Sequence, residues 1–272
     1  MAQLTDPTTL FIVQPAAVFV MFIIVWFIQS LAVLYISRKW IFPLLYRFRI
    51  TELLVAEAAI AVHESSHLVS AFLTGSEIDL RGSFLTSKAG RITAKREESV
   101  GGWISSLIAA FAPAFLSSFV FFAAVVIFAQ VQLPFSSIFS LSQSGDNLYD
   151  GMVSAAGSII LPFLSALVSV LLQPTIATVI IVYFLIILSI TAGPSEGDWR
   201  AAMSILYSPI SLFALFALLL IANYVFSQFD IDILLPFVTA MMLSVSIVAV
   251  GLFAALIFAG ALYLIARALK RY

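Results

Sequence analysis

The 272-residue chain has no cysteine, only two histidines and few charged residues. Without cysteine it can form no disulfide and offers no thiolate ligand to a metal. Charged residues are 10% of the sequence and hydrophobic residues 62%, whereas soluble domains have roughly 25% and 45–50%. A water-soluble fold of this length cannot hide so much apolar surface, so the composition predicts a polytopic membrane protein. The net charge of −1 argues against nucleic acid as a partner.

Long apolar runs predict the transmembrane helices, because about 20 apolar residues are needed to cross the hydrocarbon core. Six such runs occupy residues 10–36, 51–74, 103–129, 175–192, 201–227 and 234–268. The apolar stretch 151–172 is either a seventh span or half of a broken or re-entrant element. The predicted fold is an all-α polytopic membrane protein with six or seven transmembrane helices, forming a single domain over residues 1–272. Because the N-terminus lacks the basic region of a cleavable signal, the first run is expected to remain as a span.

The distribution of Lys and Arg suggests an orientation, because cytoplasmic loops collect positive charge. Basic residues are frequent in segment 75–102 and in the C-terminal tail, and absent from 130–150 and 228–233. The predicted topology therefore places 75–102 and the C-terminus in the cytoplasm, in a multi-pass protein of the cell membrane. It requires that 151–192 makes only one net crossing. The basic residues of RKWIFPLLYRFR would then lie outside and snorkel to lipid headgroups.

The two histidines stand together in HESSHLVSAFLTG, residues 63–75. His63 and His67 are four residues apart and share one face of a helix, so both rings can reach one metal ion. Glu64 is placed to take a proton from a zinc-activated water, as in the H-E-x-x-H pattern. The alternative is a pair of structural histidines. It is disfavoured because ionisable residues within apolar spans are costly and usually functional. The motif thus predicts one zinc ion at His63 and His67, with Glu64 as the general base.

HESSHLVSAFLTG resembles the active-site helix of the site-2 protease family of intramembrane zinc metalloproteases. In that family a small residue follows four positions after the second histidine and a glycine four positions later, matched here by Ala71 and Gly75. Ala112-Pro113 matches the small residue and proline near the start of the family's next span. The asparagine that closely follows this proline in better-known members is replaced by the sequence Leu116, Ser117, Ser118. The resemblance implies hydrolysis of peptide bonds in or near transmembrane segments of membrane-protein substrates.

A zinc site of this type needs a third protein ligand, which must be Asp or Glu in a chain without cysteine or another histidine. The family's usual Asp-Gly signature is matched by Asp150 in NLYDGM. A divergent branch has Pro-Ser-x-x-Asp, which Asp198 matches in TAGPSEGDWRAA. The ligand should come from the side that faces 75–102, where the predicted topology puts Asp198 and not Asp150. We therefore favour Asp198 and keep Asp150 as the alternative. Ser195 would cap the following helix, with Asp198 at position N3, and this structural role is compatible with metal binding.

Glu57 is seven residues before Glu64 and therefore near the same helical face, so it could orient a metal ligand without binding the metal. Ser195 is a second candidate for such a supporting role. Equally, Glu57 could be solvated at the membrane end of its helix.

The polar segment 75–102 contains short β-like pieces at 76–80, 83–86 and 91–94, with a turn at Lys88-Ala89-Gly90. The alternative interpretation is a polar loop anchored by basic side chains. As a hairpin-like sheet, its edge could pair with an unwound substrate, because strand addition holds a peptide in the extended form that hydrolysis requires.

A different class of function, a metal or ion transporter or a non-proteolytic membrane scaffold with the same fold, is the alternative. A transporter is expected to show further intramembrane carboxylates and repeated halves, and a pseudo-enzyme would have lost Glu64 or a histidine. The chain has few such carboxylates, no visible repeat and the complete motif. The sequence therefore favours a zinc metalloprotease whose partners are a transmembrane protein substrate and the lipid bilayer.

Overall fold

The computed structural model describes residues 7–75, 78–81, 91–94, 100–128, 148–229 and 233–269. The α-helices among them are α1 Pro7–Ile36, α2 Phe42–Leu45, α3 Arg49–Thr51, α4 Ala58–Thr74, α5 Val100–Phe128, α6 Leu148–Ala155, α7 Leu161–Leu171, α8 Ile176–Thr191, α9 Glu196–Leu206, α10 Pro209–Ser227 and α11 Leu234–Ala268. Short π-helical segments cover Ser37–Ile41, Glu52–Glu57 and Ala156–Ile160. The strands are β1 Ile78–Arg81 and β2 Arg91–Ala94.

Four of the described helices are long and apolar enough to cross a membrane. They cover Ile12–Leu45, Asp150–Leu171, Pro209–Ser227 and Leu234–Ala268. The all-α membrane class agrees with this structure, whereas the number of six or seven spans stays a prediction. The stretch around 151–172 is thus a helix of span length in its own right, followed by the separate apolar helix α8.

Helix α8 lies in the middle of the bundle and packs against α4, α5 and α11. Its last turns are buried without interruption from Leu185 to Ala192. At Gly251 of α11 the backbones come so close that an added Cβ would lie 1.5 Å from the Ser189 hydroxyl oxygen and 2.7 Å from the Leu185 carbonyl oxygen. Such close approach at small residues is how helices pack in lipid, where no hydrophobic effect drives them together. The last turns of α8 are therefore packed directly against the backbone of α11.

Helix α4 ends at Gly75, which adopts the left-handed conformation (φ 66°) that favours glycine after a helix. Beyond it, β1 and β2 pair antiparallel, with Ile78 opposite Ala94, and β2 lies against α4. The predicted piece 83–86 and the predicted turn at residues 88–90 lie outside the described residues. The complete hairpin therefore stays a prediction.

The predicted topology, with segment 75–102 and the C-terminus in the cytoplasm, stays a prediction, and the described helices show only which of their own ends share a core. Leu262, near the end of α11, shares a core cluster with Leu45 and with Ala59 at the start of α4. Thr74 comes fifteen residues after Ala59, about 22 Å further along the helix. At that far end its hydroxyl hydrogen-bonds Ser105 of α5 at 2.9 Å. The described end of α11 therefore shares a core cluster with the start of α4, whereas α4 ends beside α5.

Candidate metal centre

The two histidines of α4 face the interior of the bundle side by side. Their rings meet edge to face with centroids 4.9 Å apart, and the two Nε2 atoms are 3.3 Å apart. His63 is buried and His67 is partly buried. The neighbouring hydroxyls of Ser65 and Ser66 donate to carbonyl oxygens one turn earlier, so these polar groups are satisfied within the helix. The spacing of four residues thus places both rings at one point, as expected from the sequence.

Asp198 is brought to this point by the first turn of α9. Its backbone N–H donates to the Ser195 hydroxyl at 3.2 Å, and its Oδ2 accepts from the Ser195 N–H at 2.7 Å. This reciprocal pair is a capping box, in which each residue satisfies an amide that the helix leaves free. Ser195 therefore caps α9 as expected, and the same carboxylate that completes the cap faces the histidines.

The three side chains form a compact triangle of donor atoms. Asp198 Oδ2 lies 3.0 Å from His63 Nε2, and Oδ1 lies 3.2 Å from His67 Nε2. Ligands about 2.0–2.1 Å from a tetrahedral zinc ion are about 3.3 Å from one another, which fits these separations and the 3.3 Å between the two nitrogens. Within the part of the chain that the structure describes, this is the one group of three or more His, Asp or Glu side chains close enough to share a metal ion.

The hydrogen bond on the far side of the His63 ring fixes its tautomer. Nδ1 lies 3.1 Å from the backbone carbonyl oxygen of Thr191. A carbonyl can only accept, so Nδ1 carries the hydrogen and Nε2 of the neutral ring presents a lone pair. That lone pair points at a carboxylate oxygen, an arrangement that requires a proton or a metal cation between them. A ring N–H donated to a backbone carbonyl is also the usual support of a zinc-bound histidine, so the donor set fits zinc.

Thr191 and Ser117 form a second layer behind His63. The Thr191 hydroxyl donates to the Leu188 carbonyl at 2.8 Å, so the Ser117 hydroxyl, 3.1 Å away, is the donor to Thr191. Ser117 lies in the region where better-known site-2 proteases have asparagine, and in this chain it contacts Thr191. Sequence reasoning assigned no role to either residue. Thr191 acts through its backbone, which no side-chain pattern reveals, and a serine in an apolar helix is too common to stand out.

The remaining candidate residues lie around the cluster. Glu64 is partly buried next to His63 in α4, near enough for its carboxylate to interact electrostatically with the imidazole. Glu57 ends the π-helical segment before α4, six residues and therefore about 9 Å along the helix from His63. Glu57 is therefore not adjacent to the donor atoms of His63, His67 and Asp198.

Asp150 lies at the start of α6, is exposed, and is not part of the His-His-Asp cluster. An added Cβ on Gly151 would contact Leu235, in the first turn of α11. Leu235 lies at the end of α11 that is far from Ala268. The predicted reason for setting Asp150 aside, that it lies on the opposite side of the membrane, stays a prediction. Asp198 is distinguished from Asp150 by its carboxylate oxygens, which lie 3.0 and 3.2 Å from the histidine nitrogens.

The fold and the site together define a class of protein, a helical membrane protein with a His-His-Asp cluster enclosed by its helices. The side chains of the cluster are only 11–14% exposed, so the site is shielded by the bundle. Comparison of the chain with family models, curated proteins and solved structures finds no match. The resemblance to site-2 proteases therefore stays a prediction from the motif residues.

Proposed function

We propose that this protein is an intramembrane zinc metalloprotease, similar to the site-2 proteases, which hydrolyses peptide bonds in or near transmembrane segments of membrane-protein substrates. The observation that carries the proposal is the donor triangle of His63, His67 and Asp198, with separations of 3.0–3.3 Å. A carboxylate, Glu64, follows the first histidine in the spacing that zinc proteases use. The metal ligands, the attacking water and the general base would then lie together at one site that is shielded from solvent.

The residues have distinct roles in this proposal. His63, His67 and Asp198 would hold one zinc ion and leave a position open, as catalytic zinc sites do. When bound, zinc would polarise the scissile carbonyl and lower the pKa of water to about 7. Glu64 takes a proton from the attacking water, whose oxygen bonds to the carbonyl carbon. As the C–N bond breaks, Glu64 returns that proton to the leaving amine.

Access of the substrate needs a separate explanation, because every amide of a transmembrane helix is bonded within the helix. The scissile bond must be presented in an extended conformation before water can attack it. Strand β2 lies against the catalytic helix α4, so the β1–β2 pair stands beside the helix that carries Glu64. Addition of an unwound substrate strand to this pair would supply the required conformation.

The test compares wild type with Glu64→Gln and with Glu57→Gln as the matched control. Each purified protein is assayed for zinc content and for cleavage of a reporter substrate with one transmembrane helix. We expect one zinc per chain in all three proteins. Cleavage should fall by about 10²–10⁴-fold in Glu64→Gln, the range for loss of a general base, and should persist in Glu57→Gln. Equal cleavage by wild type and Glu64→Gln would contradict the proposal. Zinc binding without any cleavage would favour the transporter or scaffold alternative.

A further inference from the structure

Helix α1 contacts both ends of segment 193–199, which leads from the end of α8 into the first turn of α9 and carries Asp198. At one end, an added Cβ on Gly193 would lie 2.7 Å from Cγ1 of Val33. At the other end, the Trp199 ring stacks on the Trp26 ring with a centroid distance of 5.7 Å and an interplanar angle of 18°. Trp26 and Val33 are seven residues apart and so lie on one face of α1. This face therefore lies along the segment that carries the carboxylate.

The Trp26 and Trp199 rings are themselves held by further aromatic contacts. Phe111 of α5 meets Trp26 edge to face at 4.5 Å, and Phe27 lies 5.3 Å from Trp199. Trp26 is 3% exposed, and Ala202, one turn after Asp198, is fully buried in the same cluster. The first turn of α9 is thus packed against both α1 and α5.

This packing matters because the capping box fixes Asp198 only relative to its own helix. The histidines that face the carboxylate belong to α4, a different helix. The separations of 3.0 and 3.2 Å between the carboxylate oxygens and the rings therefore depend on where the start of α9 is docked in the bundle. Trp199 is the residue directly after Asp198, so the position of its ring constrains the backbone at Asp198.

We infer that Trp26 and Trp199 are positioning residues of the metal centre, whose stacked rings hold the start of α9 where Asp198 meets His63 and His67. This inference rests on the proposed metal site. It gives α1, which supplies no residue of the motif, a direct influence on metal affinity.

The test uses Co²⁺ as the probe, because its visible absorption reports both affinity and coordination geometry. Trp26→Leu and Trp199→Leu are compared with wild type, and Trp199→Phe is the conservative variant that keeps an aromatic ring. We expect Co²⁺ affinity to fall by about 10–100-fold in the two leucine variants, as for loss of other groups that orient metal ligands. Their visible spectrum should also change, and Trp199→Phe should recover most of the affinity.

The matched control is Phe163→Leu, which removes a fully buried ring that packs at 5.2 Å on Phe122 in a different core cluster. It should lower the thermal stability while leaving Co²⁺ affinity and spectrum as in wild type. An equal loss of affinity in this control would overturn the inference, because the effect would then be general destabilisation. Wild-type affinity and spectrum in both leucine variants would overturn the inference and leave the metal site standing. Failure of the wild type itself to bind Co²⁺ would overturn the proposed site and the inference together.

Discussion

Replacing Asp198 separates its two roles, because the carboxylate both faces the histidines and completes the cap of α9. Asp198→Asn keeps an oxygen that can accept from the Ser195 N–H, which is 2.7 Å from Oδ2 in the structure, but removes the negative charge. Asp198→Ala removes both the charge and the acceptor. Asp150→Asn is the matched control, since Asp150 also lies in the first turn of a helix and was the alternative ligand.

The expected magnitudes differ for folding and for metal binding. Loss of a capping acceptor costs about 1 kcal/mol, so without metal Asp198→Ala should melt a few degrees below wild type and Asp198→Asn should melt closer to it. A ligand present at 100 times its Kd stabilises the folded state by about 2.7 kcal/mol. Wild type and Asp150→Asn should gain that stabilisation from zinc. Both Asp198 variants should lose most of it, because a neutral amide or a methyl group replaces one of the three proposed protein ligands.

The assay is thermal unfolding with and without zinc, combined with the zinc content of each purified variant. We expect about one zinc per chain in wild type and Asp150→Asn and a large loss in both Asp198 variants. The reasoning would be refuted if Asp198→Asn kept both its zinc and its zinc-dependent stabilisation while Asp150→Asn lost them.

Three further predictions concern the framework that holds the site. Gly75→Ala should lower stability by about 1–2 kcal/mol, because a side chain in the left-handed conformation is strained, and thermal unfolding would measure this. Gly251→Ala should cost about 1–3 kcal/mol by overpacking the contact of α11 with α8. Gly260→Ala, where an added Cβ meets nothing within 4 Å, is the control for both, and equal melting of all three proteins would contradict the packing argument. Single cysteines in segment 37–50 and in the C-terminal tail of this cysteine-free chain should react with an impermeant thiol reagent from the same side. One in 82–90 should react from the other side, and labelling of all three from one side would contradict the helix arrangement.

The local part of the site could be predicted from sequence because it depends on spacing within one helix. The four-residue interval puts His63 and His67 on one face of a helix. The sequence Pro-Ser-x-x-Asp at the start of α9 indicates that Ser195 and Asp198 form a helix cap. Each of these features follows from residues that are neighbours in the chain.

Contacts between helices that are far apart in the sequence could not be predicted in the same way. The side of the membrane on which Asp150 lies stays a prediction, because the helix Asp150–Leu171 is itself long enough to cross a membrane and apolar composition does not fix the number of crossings. The support of His63 by the Thr191 carbonyl depends on where α8 ends beside α4. The stacking of Trp26 on Trp199 joins residues far apart in the chain. Apolar composition indicates that such helices lie in the membrane, but it does not indicate which of them contact one another.

The most direct test of the central claim is hydrolysis of a transmembrane substrate in water enriched in oxygen-18. Purified wild type should release two fragments, with one oxygen-18 atom incorporated at the new carboxyl terminus, because the attacking oxygen comes from water. The reaction should stop when zinc is removed by a chelator and resume when zinc is restored. Intact substrate after incubation with zinc-loaded wild type, or cleavage that continues at the same rate without zinc, would contradict the assignment of this site to peptide hydrolysis.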